Sequence, residues 1–230
     1  MELYFLRHGE AEDAMFNTPD ADFERNLTEK GMNDLILEAF GLKQIVDRFD
    51  VILTSPLVRA VQTASVFGKV YECEDRIIEA GVLKPPCLLA DLLETLALQG
   101  RVHRVLCVGH TPSLGELATE LLTGIEEEDF FRFQKGGVLR MDISSPTVDT
   151  ETRLVYFLSP GILMKMGENF DWDQFDLPQE KQKQQVEQPQ QEIKTARELM
   201  EEEEIDLGIT LENIEGYSEE DEEIDLNFEI

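Results

Sequence analysis

The apolar run Leu3–Leu6, which ends abruptly at Arg7, His8 and Gly9, constrains the fold more than any other stretch of the sequence. Four consecutive apolar residues are typical of a buried strand. Arginine and histidine are costly to bury without partners, and glycine permits a sharp turn and the close approach of a ligand. In open α/β sheets, ligands bind beyond the carboxyl ends of the strands. The run therefore predicts a strand that delivers Arg7 and His8 to a binding site, with an ordinary strand-end loop as the alternative on this stretch alone.

Three apolar strand patterns, each followed by a helical pattern, indicate an α/β fold. The strand patterns span 3–6, 51–53 and 105–108, and the helical patterns span 32–46, 57–67 and 114–122. The remaining predictions are a helix over 89–97, an edge strand over 70–73, a closing antiparallel pair over 138–143 and 154–158, connections over 12–25 and 75–86, and a loop or short helix over 129–134. We therefore expect a single three-layer domain with a mostly parallel central sheet flanked by helices.

Polar residues stand before three of the predicted helices and are candidate N-caps. They are Thr28, Ser55 and Thr111. Serine and threonine accept hydrogen bonds from the free N–H groups of a first helical turn. Pro56 and Pro112 suit the first helical position, because proline has no N–H to leave unpaired there.

Two more cationic or imidazole side chains belong to the same predicted sheet edge. Arg59 would lie in the first turn of its helix, where a cation opposes the helix dipole, so a bound anion explains its placement better than an exposed surface position does. His110 follows the third strand directly, whereas His103 precedes it and is expected to be a surface histidine at the opposite edge. Together with Arg7 and His8, these residues predict a pocket for a phosphoryl group.

Composition and charge exclude several classes of function. The net charge of −29 argues against nucleic-acid binding. The sequence has no apolar run long enough to cross a membrane, and charged residues interrupt the first apolar run, so we expect neither a membrane span nor a signal peptide. Cys73, Cys87 and Cys107 lack the spacing of metal ligands and indicate the reduced thiols of a cytoplasmic protein.

The charge is concentrated near the end of the sequence. Residues 168–230 carry 22 acidic and 4 basic side chains, a net charge of −18. This stretch is rich in glutamine and then in glutamate, a composition typical of disorder. We predict a folded domain over 1–167 and a flexible acidic tail over 168–230. The tail is interpreted as a solvating segment, and the alternative is that residues 224–230 add a strand to a protein partner.

Four motifs resemble those of one enzyme family. They are Leu6–Gly9, Asn26–Gly31, Leu53–Ala64 and Val108–Pro112. In order and spacing they resemble the histidine phosphatase superfamily, which includes the cofactor-dependent phosphoglycerate mutases, across residues 1–165. The short domain and the run after Val108 are most similar to the SixA-type protein phosphohistidine phosphatases.

The resemblance implies a role for each residue at the predicted sheet edge. His8 would be the nucleophile and would carry the phosphoryl group transiently, while Arg7, Arg59 and His110 would hold the phosphoryl oxygens. Gly9 joins this phosphate-binding set because it lets a ligand approach closely. The two arginines would also lower the pKa of His8 and favour its neutral form. We expect no metal and no other cofactor.

The proton donor for the leaving group is the open point of this interpretation. Larger family members use a glutamate after the second motif, and Glu79 falls near that region, although an ordinary surface acid fits equally well. Glu10 and Glu12 are rival acids, because they are closer in sequence to His8. A phosphohistidine substrate relaxes the requirement, since imidazole leaves as a neutral molecule.

The leading hypothesis is a metal-independent phosphohistidine phosphatase that acts on a phosphorylated protein. One alternative is a phosphomonoesterase for a small metabolite. Another is a phosphohistidine-binding scaffold whose acidic tail recruits partners.

Overall fold

The strand predicted from the first apolar run is β1, Glu2–Arg7, and the side chains of Leu3–Leu6 are completely buried. The computed structural model describes residues 1–13, 18–126 and 128–170. The other strands are β2 Val51–Thr54, β3 Ile77–Glu79, β4 Arg104–Gly109, β5 Val138–Ile143 and β6 Thr152–Leu158. The helices are α1 Pro19–Phe23, α2 Glu29–Lys43, α3 Val58–Tyr71, α4 Leu89–Leu98, α5 Ser113–Thr123 and α6 Pro160–Met166.

The six strands form one mixed sheet in the order β3-β2-β4-β1-β5-β6. The first four strands are parallel, and β5 and β6 run antiparallel to them. The last residue of β1, Arg7, pairs with Gly109 of β4, and Thr54 at the end of β2 pairs with Val108. The carboxyl ends of these three strands therefore meet at one edge, as the sequence predicts.

Helices cover both faces of the sheet. On one face, α4 and α5 contribute leucines to a core that includes Leu3 and Phe5 of β1. On the other face, Tyr4 of β1 packs edge-on against Phe49, and Phe49 in turn packs against Tyr71 at the end of α3. The predicted three-layer α/β architecture is confirmed.

The edge strand is not where the sequence pattern placed it. Residues 70 and 71, predicted to begin a strand, are the last two residues of α3, and Glu72 ends the helix in the left-handed conformation, with φ 56°. The ring of Tyr71 lies parallel to that of Phe67 one helical turn earlier, so the apolar pattern belongs to a helix. The edge strand beside β2 is β3, which lies in the predicted connection, and a strand of three residues is too short to give a recognisable apolar pattern.

Only one of the three candidate caps is confirmed. The side chain of Thr28 accepts a hydrogen bond from the N–H of Gly31 at 2.9 Å. The predicted caps Ser55 and Thr111 are wrong, because α3 and α5 begin later, after Leu57 and Pro112, and neither helix has a side-chain cap.

Two short helices were missed. Helix α1 lies inside the predicted 12–25 loop, and α6 follows the closing strand and packs against α2. The approach of α6 is close, since a Cβ at Gly41 of α2 would overlap the backbone carbonyl of Leu163. Beyond α6, the ring of Phe170 stacks on Phe40 with 3.9 Å between centroids.

The predicted acidic tail lies, from residue 171 onward, outside the described residues. Among the residues that the structure describes, no helix is long and apolar enough to cross a membrane.

The contact between α2 and α6 gives a paired test of packing. Gly41→Ala should destabilise the fold by about 1–3 kcal/mol, because overlap with backbone atoms outweighs the gain of up to about 1 kcal/mol in helix propensity. Gly161→Ala in α6, where a Cβ meets nothing within 4 Å, should instead stabilise it by about 0.5–1 kcal/mol. Urea unfolding measures both, and a stabilising Gly41→Ala would contradict the close packing.

Candidate active site

Four basic side chains from three elements meet at the carboxyl edge of the sheet. Arg7 ends β1 and His8 follows it, Arg59 is the second residue of α3, and His110 follows β4. His8, Arg59 and His110 are 5%, 5% and 4% exposed. The rings of His8 and His110 lie 5.0 Å apart between centroids. Arg7, Arg59 and His110 are called the clamp below.

The hydrogen bonds of His8 fix which ring nitrogen carries the proton. Its Nδ1 lies 2.8 Å from the carbonyl oxygen of Gly9, which can only accept, so Nδ1–H is the donor. The Nε–H of Arg59 donates to Nε2 of His8 at 3.3 Å. His8 is therefore a neutral imidazole whose Nε2 presents a lone pair toward Arg59.

The surroundings of His8 favour this neutral form strongly. Burial lowers its pKa to about 3, and the neighbouring His110, Arg59 and Arg7 act in the same direction, while the Gly9 carbonyl opposes them. Burial also lowers the pKa of Arg7 and of Arg59. Repulsion from the charge of Arg59 lowers the pKa of Arg7 further.

His110 is oriented by Ser55. Its Nε2 lies 2.8 Å from the hydroxyl oxygen of Ser55, and its buried Nδ1 has no partner in the described part of the chain. Burial lowers the pKa of His110 to about 3, with further contributions from the nearby Arg59 and other arginines. If the Ser55 hydroxyl donates to Nε2, Nδ1–H is a free donor. Ser55 therefore contacts His110 in the candidate site and does not cap a helix as predicted.

The arginines are held by backbone carbonyls. One terminal nitrogen of Arg7 donates to the carbonyl of Phe133 at 2.7 Å, and its buried Nε has no partner among the described residues. Arg59 donates from its two terminal nitrogens to the carbonyl and the carboxylate of Asp22, at 2.6 and 3.1 Å. Both guanidinium groups are fixed in place, and Arg7 retains an unused donor.

Gly9 is enclosed on two sides. Its N–H donates to the hydroxyl of Thr63 at 3.1 Å, and that hydroxyl donates to the carbonyl of Arg59 at 2.7 Å. A Cβ at Gly9 would approach Leu35 to 2.5 Å. Gly9 thereby connects the loop after β1 to α3, while its carbonyl holds His8.

The three predicted candidate acids do not contact this cluster. In the described part of the chain, Glu79, Glu10 and Glu12 make no hydrogen bond or ion pair with His8 or the clamp. Glu79 is exposed at the end of β3, and Glu10 binds Lys30 at 3.2 Å. Among the described residues, Asp22 is the carboxylate that reaches the cluster, and it is half-exposed.

Sequence reasoning missed three contributors. Thr63 carries a usable signal, because it lies four residues after Arg59 on one helix face and inside the second motif. Ser55 is a serine before a predicted helix, so the sequence indicates a helix cap and gives no sign of its contact with His110. Asp22 belongs to a polar segment with many acids, and nothing in its spacing distinguishes it from Asp20.

Within the described residues, no group of three or more histidine, cysteine or acidic side chains is arranged to hold a metal ion.

Comparison with known proteins identifies the family. An uncharacterised protein of the cyanobacterium Picosynechococcus is 35% identical over 168 residues, which cover 71% of this chain and 99% of that protein. Residues 3–82 match the family model of the histidine phosphatase superfamily, branch 1. The chain belongs to this superfamily.

Relatives with named activities lie within the same superfamily. The phosphohistidine phosphatase SixA of Escherichia coli is 34% identical over 131 residues, which cover 54% of this chain and 76% of SixA. A solved structure of the protein histidine phosphatase SixA with tungstate superposes with a TM-score of 0.59 and 26% identity, and the match covers 71% of this chain and 99% of that one. This histidine phosphatase superfamily member is therefore SixA-like in sequence and fold.

The low pKa values of His8 and His110 predict their response to pH. Both rings should stay neutral as the pH falls through 6.5, the ordinary value for histidine, and should protonate near pH 3. The unfolded chain would bind these protons at higher pH, so stability should decline as the pH falls below about 6.5. Histidine ring shifts in NMR measure the titration, and midpoints near 6.5 for both rings would contradict the buried arrangement.

Asp22 competes with an anionic ligand for Arg59. Asp22→Asn should tighten phosphate or vanadate binding about two- to fivefold, the worth of a half-exposed ion pair. Asp20→Asn is the matched control, since it removes a charge from the same helix and its side chain is exposed. Calorimetry measures both, and weaker binding by Asp22→Asn alone would mean that Asp22 chiefly holds Arg59 in position.

Proposed function

We propose that this chain is a phosphohistidine phosphatase in which Nε2 of His8 attacks the phosphorus and forms a covalent phosphohistidine intermediate. The observation that carries the proposal is the neutral His8, whose Nδ1–H is held by the Gly9 carbonyl and whose Nε2 lone pair is directed into a cluster of cations. A histidine nucleophile needs this tautomer at the operating pH.

In the first step, the Nε2–P bond forms as the bond from phosphorus to the leaving group breaks. The Nε–H of Arg59, which donates to Nε2 in the free site, donates to a phosphoryl oxygen once Nε2 is bonded to phosphorus. The unused Nε–H of Arg7 is a free donor for another oxygen, and so is the Nδ1–H of His110 when Ser55 donates to Nε2 of that ring. Fixed donors of this kind stabilise the charge of a transferring phosphoryl group without reorganisation.

In the second step, water attacks the phosphorus and the His8 ring leaves. The products are inorganic phosphate and the neutral imidazole of His8, again hydrogen-bonded to Gly9. Positive charge comes from Arg7 and Arg59 in both steps, so we propose that turnover requires no metal. Activity should therefore survive EDTA.

The lack of a contacting proton donor for the leaving group, within the described residues, supports a phosphohistidine substrate. An alkoxide leaving group needs a proton, and the acids predicted for that role do not contact His8 or the clamp. Phosphohistidine protonated on its second ring nitrogen leaves as neutral imidazole, so the site suits P–N bonds. The named activity of the E. coli relative supports the same substrate class. A cavity of about 340 Å³ beside the site, lined by Thr111 and Phe133 among others, offers room for the rest of a protein-borne substrate.

Removal of the nucleophile tests the covalent mechanism. His8→Ala should abolish turnover of a phosphohistidine protein, because the arginines of the clamp have no lone pair and we assign the Nδ1–H of His110 as a donor to the phosphoryl group. The exposed His103 supplies the matched control, and His103→Ala should keep full activity. Normal turnover by His8→Ala would contradict the covalent mechanism. If the parent protein bound phosphohistidine tightly but did not turn it over, the phosphohistidine-binding scaffold would be favoured.

A phosphomonoesterase is the second candidate, because Glu79 ends β3 at the same sheet edge as Thr54 of β2. If a moving loop brought it to the substrate, Glu79→Gln should depress hydrolysis of alkyl phosphates far more than that of phosphohistidine. We expect instead equal and small effects, below about threefold, with the exposed Glu94→Gln as control. Steady-state assays on both substrates distinguish the two outcomes.

A further inference from the structure

A second cleft of about 430 Å³ begins at Gly9 and Glu10, the two residues that follow His8, and is called the rear cleft below. Its lining includes Glu10 after β1, three charged residues of α2, the turn before β5, and α6. The α2 residues are Lys30, Asp34 and Glu38. Neither His8 nor the clamp lines this rear cleft, and Gly9 is the residue that it shares with the candidate active site.

Glu38 is the unusual member of the rear cleft. It is 3% exposed, and its buried Oε2 has no hydrogen-bond partner among the described residues. The carboxylate lies against Gly136, whose φ is +80° and where a Cβ would overlap both carboxylate oxygens. Glycine at this turn therefore makes the room that the Glu38 carboxylate occupies.

Burying an unpartnered carboxyl group is costly, and the group needs a donor to offset the loss of water. The cation that acts on Glu38 is Lys30, and it is already engaged, because it binds Glu10 at 3.2 Å and Asp34 at 2.5 Å and is itself 71% exposed. Burial, with help from the Asp34 charge, raises the pKa of Glu38 to about 8, while Lys30 opposes the rise. The unbound carboxyl is thus largely protonated at neutral pH.

We propose that the rear cleft binds a primary ammonium group on an alkyl chain, with Glu38 as its buried counter-ion. An ammonium is a compact donor that one carboxylate oxygen can accept, and at the rim it competes with Lys30 for the carboxylates of Asp34 and Glu10. Pro160 and Met164 of α6 give an apolar wall for the methylene groups. A lysine side chain of a protein and a free diamine share this chemistry.

Binding should release a proton, because the ammonium pairs with ionised Glu38. The charged groups facing Glu38 are Asp34 and Lys30 on its own helix, Glu10 after β1 and Lys135 in the turn before β5, and α6 adds no titratable group to the lining. Affinity should rise about tenfold per pH unit up to about pH 8 and then level off, since one proton is displaced.

Calorimetry on the full chain tests the proposal with 1,5-diaminopentane and, separately, with Nα-acetyl-lysine amide. We expect saturable binding, proton release seen as a dependence on buffer ionisation enthalpy, and at least tenfold weaker binding by Glu38→Gln. Glu94→Gln, an equal charge change on an exposed helix position, should bind like the parent. Binding of the diamine alone assigns the cleft to free amines, and binding of both admits a lysine side chain.

Two results would overturn the proposal: no saturable binding of either amine, or equal binding by Glu38→Gln. If Glu38→Gln does not fold, carboxyl ¹³C NMR of the parent protein decides. Addition of 1,5-diaminopentane should then lower the pKa of Glu38 from about 8, and an unchanged pKa would reject the site.

Discussion

The hydrogen bond from Nδ1 of His8 to the Gly9 carbonyl is the interaction on which the site depends. It fixes the tautomer and leaves Nε2 as the only basic nitrogen of the ring. Gly9 is held in place because Thr63 accepts a hydrogen bond from its N–H, and Leu35 leaves no room for a Cβ there. The parallel register of β1, β2 and β4 then brings Arg59 and His110 to the same edge.

Burial of four basic groups together is unfavourable without an anion. Each of Arg7, His8, Arg59 and His110 has a pKa lowered by burial, so the protein favours their less charged forms. Asp22 offsets part of the charge of Arg59 from outside, through a half-exposed carboxylate. A phosphoryl group entering the cluster would supply the missing negative charge. The unfavourable burial of four basic groups would therefore favour the binding of oxyanions, as proposed.

Sequence reasoning located the sheet edge and its four basic residues, because strand-to-turn transitions and motif spacing are local signals. It failed where tertiary contacts decide. Ser55 reads as a helix cap by composition, but its hydroxyl contacts His110. Helix α6, which packs on α2, has seven residues and β3 has three, so neither is long enough to show a clear apolar period. Glu38 looks like a surface acid on an amphipathic helix, and only the positions of α6 and Gly136 reveal that it is buried.

The position of the phosphoryl group on the His8 ring tests the central claim most directly. Protein labelled with ¹⁵N-histidine would be mixed with a phosphohistidine substrate, quenched in alkali, and analysed by ³¹P–¹⁵N NMR after digestion. The account predicts phosphorus bonded to Nε2 of His8, because Nδ1 keeps its proton on the Gly9 carbonyl. Phosphorus on Nδ1, or turnover without any phosphorylated His8, would contradict it.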